Sequence, residues 1–360
     1  MTVAIIGATG AVGSAVVLHL LKSCILKPSD RILLVGRGTV ANERKLLAVR
    51  TDLLDACDQN RVQIEIVLDV DSFEADIIVV AAGATLSAEH QTRRDLALVN
   101  LPIFQRIAEV CATRLPKALF IVVSNPVELA VEVLAGAVDR HRVLGMGAQQ
   151  DSLRFARAIA NNLGLSRHDV RASVFGEHGD AMAPLWQSVE LSGRGAEYEH
   201  QLSTLKAKAD KAPLKTRVAT LEQRVNGYLA KGDIAAAYRE AARSLPDARI
   251  FVEPHITAQS IHSTPNATAN ATVQLIAAAL AADGRAVHGQ VQLRREVFAI
   301  EGVCGVPIVI DRDGWKPKDV NYLSRASREA IVESARSIQS FNIRILESAG
   351  HREERSKEVA

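Results

Sequence analysis

Residues 3–14 read VAIIGATGAVGS, in which an apolar strand is followed by a turn with three glycines and then by an apolar helix. Gly7, Gly10 and Gly13 permit a tight turn and a close approach of backbone to a phosphate, which the N–H groups of a helix N-terminus attract. Because this turn opens a strand–helix–strand unit, it predicts a dinucleotide site. The expected contacts are Gly7, Gly10, Ala11, Val12 and Gly13.

The end of the second predicted strand bears on which dinucleotide binds. An acid that accepts hydrogen bonds from the adenine ribose is expected there. RILLVGRG, residues 31–38, has Gly36 and Arg37 instead. A guanidinium pairs with a 2'-phosphate, and no carboxylate is present to repel it, so the pattern favours NADP, with NAD still possible. The alternative is that Gly36 only permits a turn while Arg37 pairs with a surface acid.

Composition places the 360-residue chain among globular proteins and argues against several partners. Aromatic residues make up only 4%, which disfavours a stacking platform for single-stranded nucleic acid. The net charge is +2 and the basic residues are dispersed, so neither nucleic acid nor a membrane is an expected partner. The four cysteines lack CxxC spacing, so we expect no metal site and a cytoplasmic protein with ordinary thiols.

Short apolar runs alternate with amphipathic stretches over residues 1–125, which is typical of a parallel sheet wound with helices. We therefore expect an α/β protein with a Rossmann-type doubly wound parallel sheet in a dinucleotide-binding domain, residues 1–146. An α+β substrate domain should follow over residues 147–350. It should open with a long helix from Asp151 that ends at Gly164.

Residues 199–245 stand apart because they are rich in Ala, Leu, Lys, Glu and Arg at helical spacing. They predict a helical insertion in the substrate domain, folded as a hairpin with its bend near Gly227 or Gly232. Such a segment is a partner-binding or site-covering arm, or else a passive surface insertion. The final residues, 351–360, predict a disordered tail.

Five further segments complete the pattern: AAG (81–83), RRDLALVN (93–100), VVSNPVE (122–128), QQDSLRFAR (149–157) and FGEHGD (175–180). With the glycine turn, and in this order, the chain resembles the lactate/malate dehydrogenase superfamily over most of residues 1–190 and again over 260–345. The resemblance implies an oxidoreductase, a homodimer or homotetramer, that transfers a hydride between a nicotinamide cofactor and a 2-oxoacid or 2-hydroxyacid. It also implies cofactor contacts at Ala82, Gly83 and Asn100.

The resemblance assigns roles to five polar side chains, and the chemistry of each suits its role. His178 would donate the proton during reduction, because imidazole titrates near neutral pH. Asp151 would orient that ring and stabilise its charged form. Arg154 lies three residues after Asp151 on the same helix and would grip the substrate carboxylate. Arg93 would bring positive charge to the reacting carbonyl when its loop closes, and Asn125 would hydrogen-bond the substrate. Taken singly, each has a structural alternative: Asp151 as a helix N-cap, Arg154 in a surface ion pair and His178 as a core histidine.

The loop ATLSAEHQT, residues 84–92, departs from the family pattern at the position that sorts substrates. Counted from the two ends of the loop, that position falls on Leu86 or on Ser87, and neither is cationic. A second substrate carboxylate therefore lacks its expected partner, unless His90 or Arg94 supplies one.

Two other classes of protein share the opening glycine turn. Extended short-chain reductases need a tyrosine followed four residues later by a lysine, and none of the four tyrosines meets that condition. The remaining alternative is a non-catalytic nucleotide-binding protein that uses the helical insertion as a partner-binding arm. Such a protein would retain NADPH without oxidising it.

Overall fold

The computed structural model describes residues 1–57, 61–85, 92–193, 195–261, 263–311 and 313–358, with side chains described up to Gly350. In these parts eleven strands form one sheet that carries helices on its faces. The elements of the first half are β1 (Thr2–Ile6), α1 (Ala11–Lys22), β2 (Arg31–Val35), α2 (Val40–Ala56), β3 (Gln63–Val67), β4 (Ile77–Val80), α3 (Arg93–Arg114), β5 (Leu119–Val122), α4 (Val127–Ala137) and β6 (Val143–Gly145).

The first six strands are parallel and lie in the order β3-β2-β1-β4-β5-β6. This is the Rossmann order, in which a ligand binds beyond the carboxyl ends of the strands, where the order reverses between β1 and β4. Val3 and Ile5 of β1 belong to one hydrophobic cluster, while Ala4 and Ile6, which alternate with them along the strand, belong to a second cluster. Both faces of the sheet are therefore buried, and the predicted doubly wound α/β fold is confirmed.

The second half extends the same sheet with antiparallel strands. Its elements are α5 (Gly147–Leu163), β7 (Val170–Gly176), β8 (Met182–Leu191), α6 (Ala196–Ala209), α7 (Leu214–Leu229), α8 (Ile234–Arg243), α9 (Pro246–Ala258), α10 (Pro265–Ala281), β9 (Val287–Arg294), β10 (Glu301–Asp311), β11 (Gly314–Pro317) and α11 (Arg325–Glu358). Strand β9 joins β6 where Gln290 lies opposite Gly145. The two halves thus share one sheet.

Helix α5 begins four residues before Asp151, the predicted start, and ends where predicted. Its last turn is closed by Gly164, whose φ of +66° lies in the left-handed region that glycine adopts without strain. The earlier start places Asp151 inside the helix and not at its N-cap. Its carboxylate is therefore free of a capping role.

The segment predicted as a helical hairpin, residues 199–245, contains three helices, α6, α7 and α8. The bend at Gly232, with φ of +73°, was among those expected. A second bend was not expected and lies before Pro213, the N-cap of α7. Proline cannot continue a helix because it lacks the backbone N–H and its ring meets the preceding turn. The hairpin prediction is corrected to three helices for that reason.

Helix α9 connects these three helices to the body of the protein. Val225 of α7 and Ala237 of α8 pack against Val252 of α9 in one apolar cluster. Arg217 of α7 donates two hydrogen bonds of 2.7 Å to the carboxylate of Asp247, in the first turn of α9. Helices α7 and α8 therefore support α9.

The last helix is longer than the sequence predicts. A disordered tail was expected from residue 351, whereas α11 continues to Glu358. Residues 351–358 contain no Gly or Pro and are mostly Arg, Lys and Glu, which have high helix propensity. Nothing in that stretch interrupts the helix, so the prediction of a disordered tail is corrected for these eight positions.

Among the described helices, α3 is long and apolar enough to cross a membrane by length and composition alone. Half of its apolar window is buried inside the molecule, where Leu101 and Phe104 belong to a core cluster. Core helices of globular proteins have this composition, so α3 gives no support for a membrane partner.

Candidate active site

The glycine turn lies between β1 and α1, at the carboxyl edge of the parallel sheet. Gly7 has φ of +90°, and a Cβ there would lie 2.6 Å from a carbonyl oxygen of the segment after β4. A Cβ on Gly13 would lie 2.3 Å from the carbonyl oxygen of Gly7. Gly10 caps α1, and Ala11 and Val12 begin a first turn without an acidic residue or a side-chain cap. The turn therefore fits a pyrophosphate, because no side chain competes for its N–H groups.

The two residues predicted to select the cofactor follow β2. The N–H of Gly36 donates to the carbonyl of Val67 at 2.9 Å, so the sheet continues one residue past β2. A Cβ on Gly36 would lie 2.5 Å from Nδ2 of Asn42, whose amide fills that space. Arg37 is exposed, and within the described ranges its guanidinium has no ion-pair partner. Its charge is thus available to a ligand.

Asn100 lies beneath the cleft, fully buried, and does not face it. Its Oδ1 accepts from the N–H of Ala84 at 2.7 Å, and its Nδ2 donates to the carbonyls of Ala84 at 3.1 Å and Asn125 at 2.7 Å. These bonds join the loops after β4 and β5. Ala82 and Gly83, in the first of these loops, are partly exposed, so that loop reaches the cleft while Asn100 shapes it from below.

His178 lies in the turn after β7, at the centre of a charged group. Its Nδ1 is 2.6 Å from Oδ2 of Asp151, and Nη1 of Arg154 donates to Oδ1 of Asp151 at 2.9 Å. Burial raises the pKa of the Asp151 carboxyl, but the neighbouring His178 and Arg154 outweigh burial, so the pKa lies below its ordinary value. Because Asp151 takes Nδ1, Nε2 is the ring nitrogen left for a substrate.

Helix α5 carries both Asp151 and Arg154, since positions three apart lie on one helix face. The histidine ring reaches Asp151 because α5 begins with Gly147. A Cβ on Gly147 would lie 2.5 Å from Cβ and Cγ of His178. Any larger residue at that position would push the ring away from Asp151. In the sequence this glycine stood out only as the first residue of the predicted substrate domain.

The charged group opens into a cavity of about 480 Å³. Val12 and Gly83 line it on the side of the glycine turn, and Asn125 lines it at the end of β5. Phe251 and His255 of α9 line the opposite wall. The predicted cofactor turn, substrate contact and proton-transfer group thus meet in one cleft.

Arg93 is the first residue of α3, and its guanidinium forms ion pairs with two buried carboxylates. Its Nη2 donates to Glu128 at 2.7 Å, and its Nη1 donates to Glu177. The ring centroid of Phe341 lies 5.1 Å from the guanidinium carbon. Burial lowers the pKa of Arg93, but the two glutamates outweigh burial and raise it, so the side chain stays charged. Arg93 lines the cavity while its guanidinium is bound to the protein's own acids.

The predicted substrate-sorting positions, Leu86 and Ser87, lie outside the described residues, as does His90. Arg94 does not line the substrate cavity within the described ranges. It lines a separate one between α3 and α11, together with Phe341 and Arg344. Of the two cations proposed to replace the family's arginine, Arg94 therefore faces elsewhere.

Sequence reasoning missed three polar groups beside the predicted residues. Thr264 Oγ1 accepts from Nη2 of Arg154 at 3.3 Å and from Nε2 of Gln150 at 3.1 Å. Glu128 Oε1 accepts from the backbone N–H of His178 at 2.6 Å. Gln150 and Glu128 stand inside QQDSLRFAR and VVSNPVE, so those segments contained a signal. Thr264 lies far along the chain, and nothing in the sequence linked it to the site.

Two domain models of one family match this chain. The lactate/malate dehydrogenase NAD binding domain matches residues 1–145, and the lactate/malate dehydrogenase alpha/beta C-terminal domain matches residues 149–226. The fold is the one the resemblance implied. The chain belongs to the lactate/malate dehydrogenase family.

Two curated relatives illustrate the range of similarity. An L-2-hydroxycarboxylate dehydrogenase (NAD(P)(+)) of Methanocaldococcus jannaschii is 35% identical over 204 residues, which cover 54% of this chain and 62% of that protein. An L-lactate dehydrogenase B of Hordeum vulgare is 38% identical over 125 residues, covering 34% of this chain and 36% of that protein. The chain spans less than two thirds of the length of the curated relatives it matches.

Solved structures resemble the whole fold. The malate dehydrogenase of Cryptosporidium parvum has a TM-score of 0.73 at 22% identity, covering 96% of this chain and 99% of that chain. A lactate dehydrogenase of Cryptosporidium parvum, complexed with lactic acid and nicotinamide adenine dinucleotide, has a TM-score of 0.73 at 20% identity, covering 96% and 97%. At these identities the likeness establishes the fold.

Proposed function

We propose that this protein is a nicotinamide-dependent 2-hydroxyacid dehydrogenase that interconverts a 2-oxoacid and a 2-hydroxyacid. The observation that carries the proposal is the His178–Asp151–Arg154 group, which opens into the same cavity as Val12, in the first turn of the helix that follows the glycine turn. A non-catalytic nucleotide-binding protein would have no use for a histidine paired with a buried carboxylate at that place.

Each side chain of the group has a separate role in binding the substrate or transferring the proton. The bound cofactor would supply or accept the hydride. Arg154 lines the cavity and has five N–H donors, of which one binds Asp151 and one binds Thr264, and the others would pair with a substrate carboxylate. His178 holds the exchanged proton at Nε2, and Asp151 stabilises the ring when it is charged. Asn125 lines the cavity where its amide can bind the substrate.

NADP is the preferred cofactor in this proposal. Arg37 is exposed and lacks an ion-pair partner within the described ranges, which supports pairing with a 2'-phosphate. Asn42, not an acid, fills the space beside Gly36, so no carboxylate at that position repels the phosphate.

The substrate belongs to the 2-oxoacids. Its second group, beyond the carboxylate that Arg154 holds, faces a wall with few cations. Among the described lining residues, the cations other than Arg154 and His178 are Arg93, already bound to two glutamates, and His255. Within the described part of the chain, His255 is the group left for the second charge of a dicarboxylate, and His90, the other candidate, lies outside it. A pyruvate-like substrate would need neither.

A cytoplasmic homodimer or homotetramer is part of the proposal. On α2, Val40, Leu47 and Leu54 recur every seven residues and are 64%, 49% and 38% exposed, so one apolar helix face is uncovered. Light scattering would give the assembly in solution. A Leu47→Glu variant should shift it towards the monomer, and an unchanged mass would contradict a role for this face.

The function is tested by following NADPH and NADH absorbance with a panel of 2-oxoacids that includes pyruvate and oxaloacetate. Oxidation that depends on the oxoacid supports the proposal. Binding of NADPH without oxidation by any member of the panel would replace it with the binding-protein alternative.

A further inference from the structure

We propose that Glu128 is a positioning residue that fixes His178 and Arg93 relative to each other, an inference that rests on the proposed dehydrogenase activity. Glu128 lies in the first turn of α4 and is 1% exposed. Its Oε1 accepts from the backbone N–H of His178 at 2.6 Å. Its Oε2 accepts from Nη2 of Arg93 at 2.7 Å. One carboxylate therefore serves two residues that the sequence places in the site.

The contact with Arg93 explains why a carboxylate, and not a neutral acceptor, occupies position 128. A neutral carbonyl would be enough to accept from a backbone N–H alone. A buried carboxylate is costly unless a cation and hydrogen bonds compensate it. Burial raises the pKa of Glu128, and the guanidinium of Arg93 opposes that rise. The N-terminus of α4 also favours a negative charge. The carboxylate is thus suited to holding Arg93 and the His178 backbone together.

The turn after β7 makes further contacts with Arg93. Glu177 accepts from Nη1 of Arg93 with one oxygen, and its other oxygen accepts from the N–H of Ala181 at 2.9 Å. A Cβ on Gly179 would lie 3.0 Å from Nη1 of Arg93. The turn that carries His178 therefore wraps around the guanidinium, and Glu128 joins this turn to α3 and α4.

Asn125 lies two residues before α4, the helix that carries Glu128. The Glu128 carboxylate therefore also connects the turn that carries His178 to the segment after β5. Arg154 lies on α5, and its described hydrogen bonds go to Asp151 and Thr264, not to Glu128. Loss of Glu128 should consequently disturb the proton-transfer geometry more than the binding of the substrate carboxylate. The expected signature is a fall in kcat with little change in KM.

The test variant is Glu128→Gln. Glutamine keeps the shape but offers one carbonyl oxygen to two donors on opposite sides, so its amide nitrogen must face either His178 N–H or Arg93. Misplacement of about 1 Å in a site costs on the order of a hundredfold, so we expect kcat to fall between about tenfold and a hundredfold. In a double-mutant cycle with Arg93→Ala, the two losses should be less than multiplicative, because both act through one contact.

The matched control is Glu132→Gln, one helical turn further along α4. Glu132 accepts from Nδ2 of Asn342 at 2.5 Å and does not line the described cavity. Its kcat and KM should stay close to those of the parent. If the Glu128→Gln variant does not fold, Glu128→Asp replaces it in the test. Aspartate keeps the charge but its side chain is shorter, so the same loss of kcat is expected. Parental kcat in a folded Glu128 variant, or fully multiplicative losses in the cycle, would overturn the proposal.

A second readout does not need turnover. The chain has ten histidines, so labelling with ¹⁵N-histidine gives at most ten backbone amide signals, and His178→Asn identifies one of them. An amide proton bound to a carboxylate lies downfield, so Glu128→Gln should move the His178 signal upfield while Glu132→Gln leaves it in place. An unmoved signal would refute the contact. If none of the 2-oxoacids supports NADPH oxidation by the parent protein, the proposed function fails. The amide signal of His178 then decides by itself whether Glu128 positions this residue.

Discussion

His178 and His288 are two imidazoles with different surroundings. His288 lies on β9, its Nε2 is 2.8 Å from the hydroxyl of Ser173, and its Nδ1 is 3.4 Å from the amide oxygen of Gln149. Both partners are neutral, and burial lowers the pKa of His288 to about 4. His178 lies instead at the cavity and is paired with the carboxylate of Asp151.

The difference teaches what separates a structural histidine from one that moves a proton. Both side chains are largely out of water, so burial alone does not distinguish them. A neighbouring carboxylate stabilises the charged ring of His178, while the described hydrogen-bond partners of His288 carry no charge that would compensate a charged ring. Access to a cavity then gives His178 a partner for its proton.

The largest effect is expected from Asp151→Asn. Asparagine has one oxygen for the two donors that Asp151 now serves, Nδ1 of His178 and Nη1 of Arg154. The charged ring also loses its counter-charge. We expect the single-turnover rate of hydride transfer to fall by about two to four decades. A rate close to that of the parent at saturating substrate would remove Asp151 from the mechanism.

His288 should affect stability and not activity. Its pKa of about 4 in the folded protein lies below the unfolded value of 6.5, so the unfolded chain binds more protons between these pH values. Its contribution to the free energy of unfolding should therefore fall as pH drops through this window, by about 3 kcal/mol in total. Urea melts of the parent and of His288→Gln at several pH values measure it. Identical pH dependence in the two proteins would contradict this assignment.

Arg154→Lys keeps the charge beside Asp151 but loses the planar fork that matches a carboxylate. We expect KM for the 2-oxoacid to rise by about tenfold to a hundredfold, as expected for the loss of one charge-assisted hydrogen bond, with a smaller change in kcat. Arg157 is the matched control, because it lies three residues further on α5 and pairs with Glu253 at the surface. Equal KM values for Arg154→Lys and Arg157→Lys would refute the carboxylate clamp.

The smallest effect concerns the cofactor end of the cleft. Arg37→Ala should lower catalytic efficiency with NADP by about tenfold and leave that with NAD nearly unchanged, since one charge-assisted hydrogen bond is lost. Arg44→Ala, another exposed arginine on α2, serves as the control. A parent that prefers NAD would overturn the cofactor proposal directly.

The sequence predicts the sheet and the His178 group because the relevant signals are local. The glycine turn follows its strand directly, and Asp151 and Arg154 share one helix face. The pairing of Arg93 could not be predicted, because its partners Glu128 and Glu177 lie 35 and 84 residues away in the chain. Only the fold brings α3, α4 and the turn after β7 together.

The wall formed by α9 was missed for a related reason. Phe251 and His255 lie outside every segment that carried the resemblance, and composition suggested only a helical insertion nearby. Their place in the cavity depends on how α7 and α8 pack behind α9. Helix propensity does not determine such packing. The bend before Pro213 differs, because proline is a local signal that interrupts a helix, and the prediction overlooked it.

The central claim is that His178, and not His288, moves the proton. Asn at 178 retains a nitrogen near the position of Nδ1 to pair with Asp151 but removes Nε2, whereas Gln at 288 retains a nitrogen near Nε2 for Ser173. The decisive measurement is the single-turnover rate of NADPH oxidation by a 2-oxoacid in both variants. The account predicts a fall of about two to four decades for His178→Asn, with NADPH binding intact, and a parental rate for His288→Gln. A parental rate in His178→Asn would make that histidine structural and contradict the account.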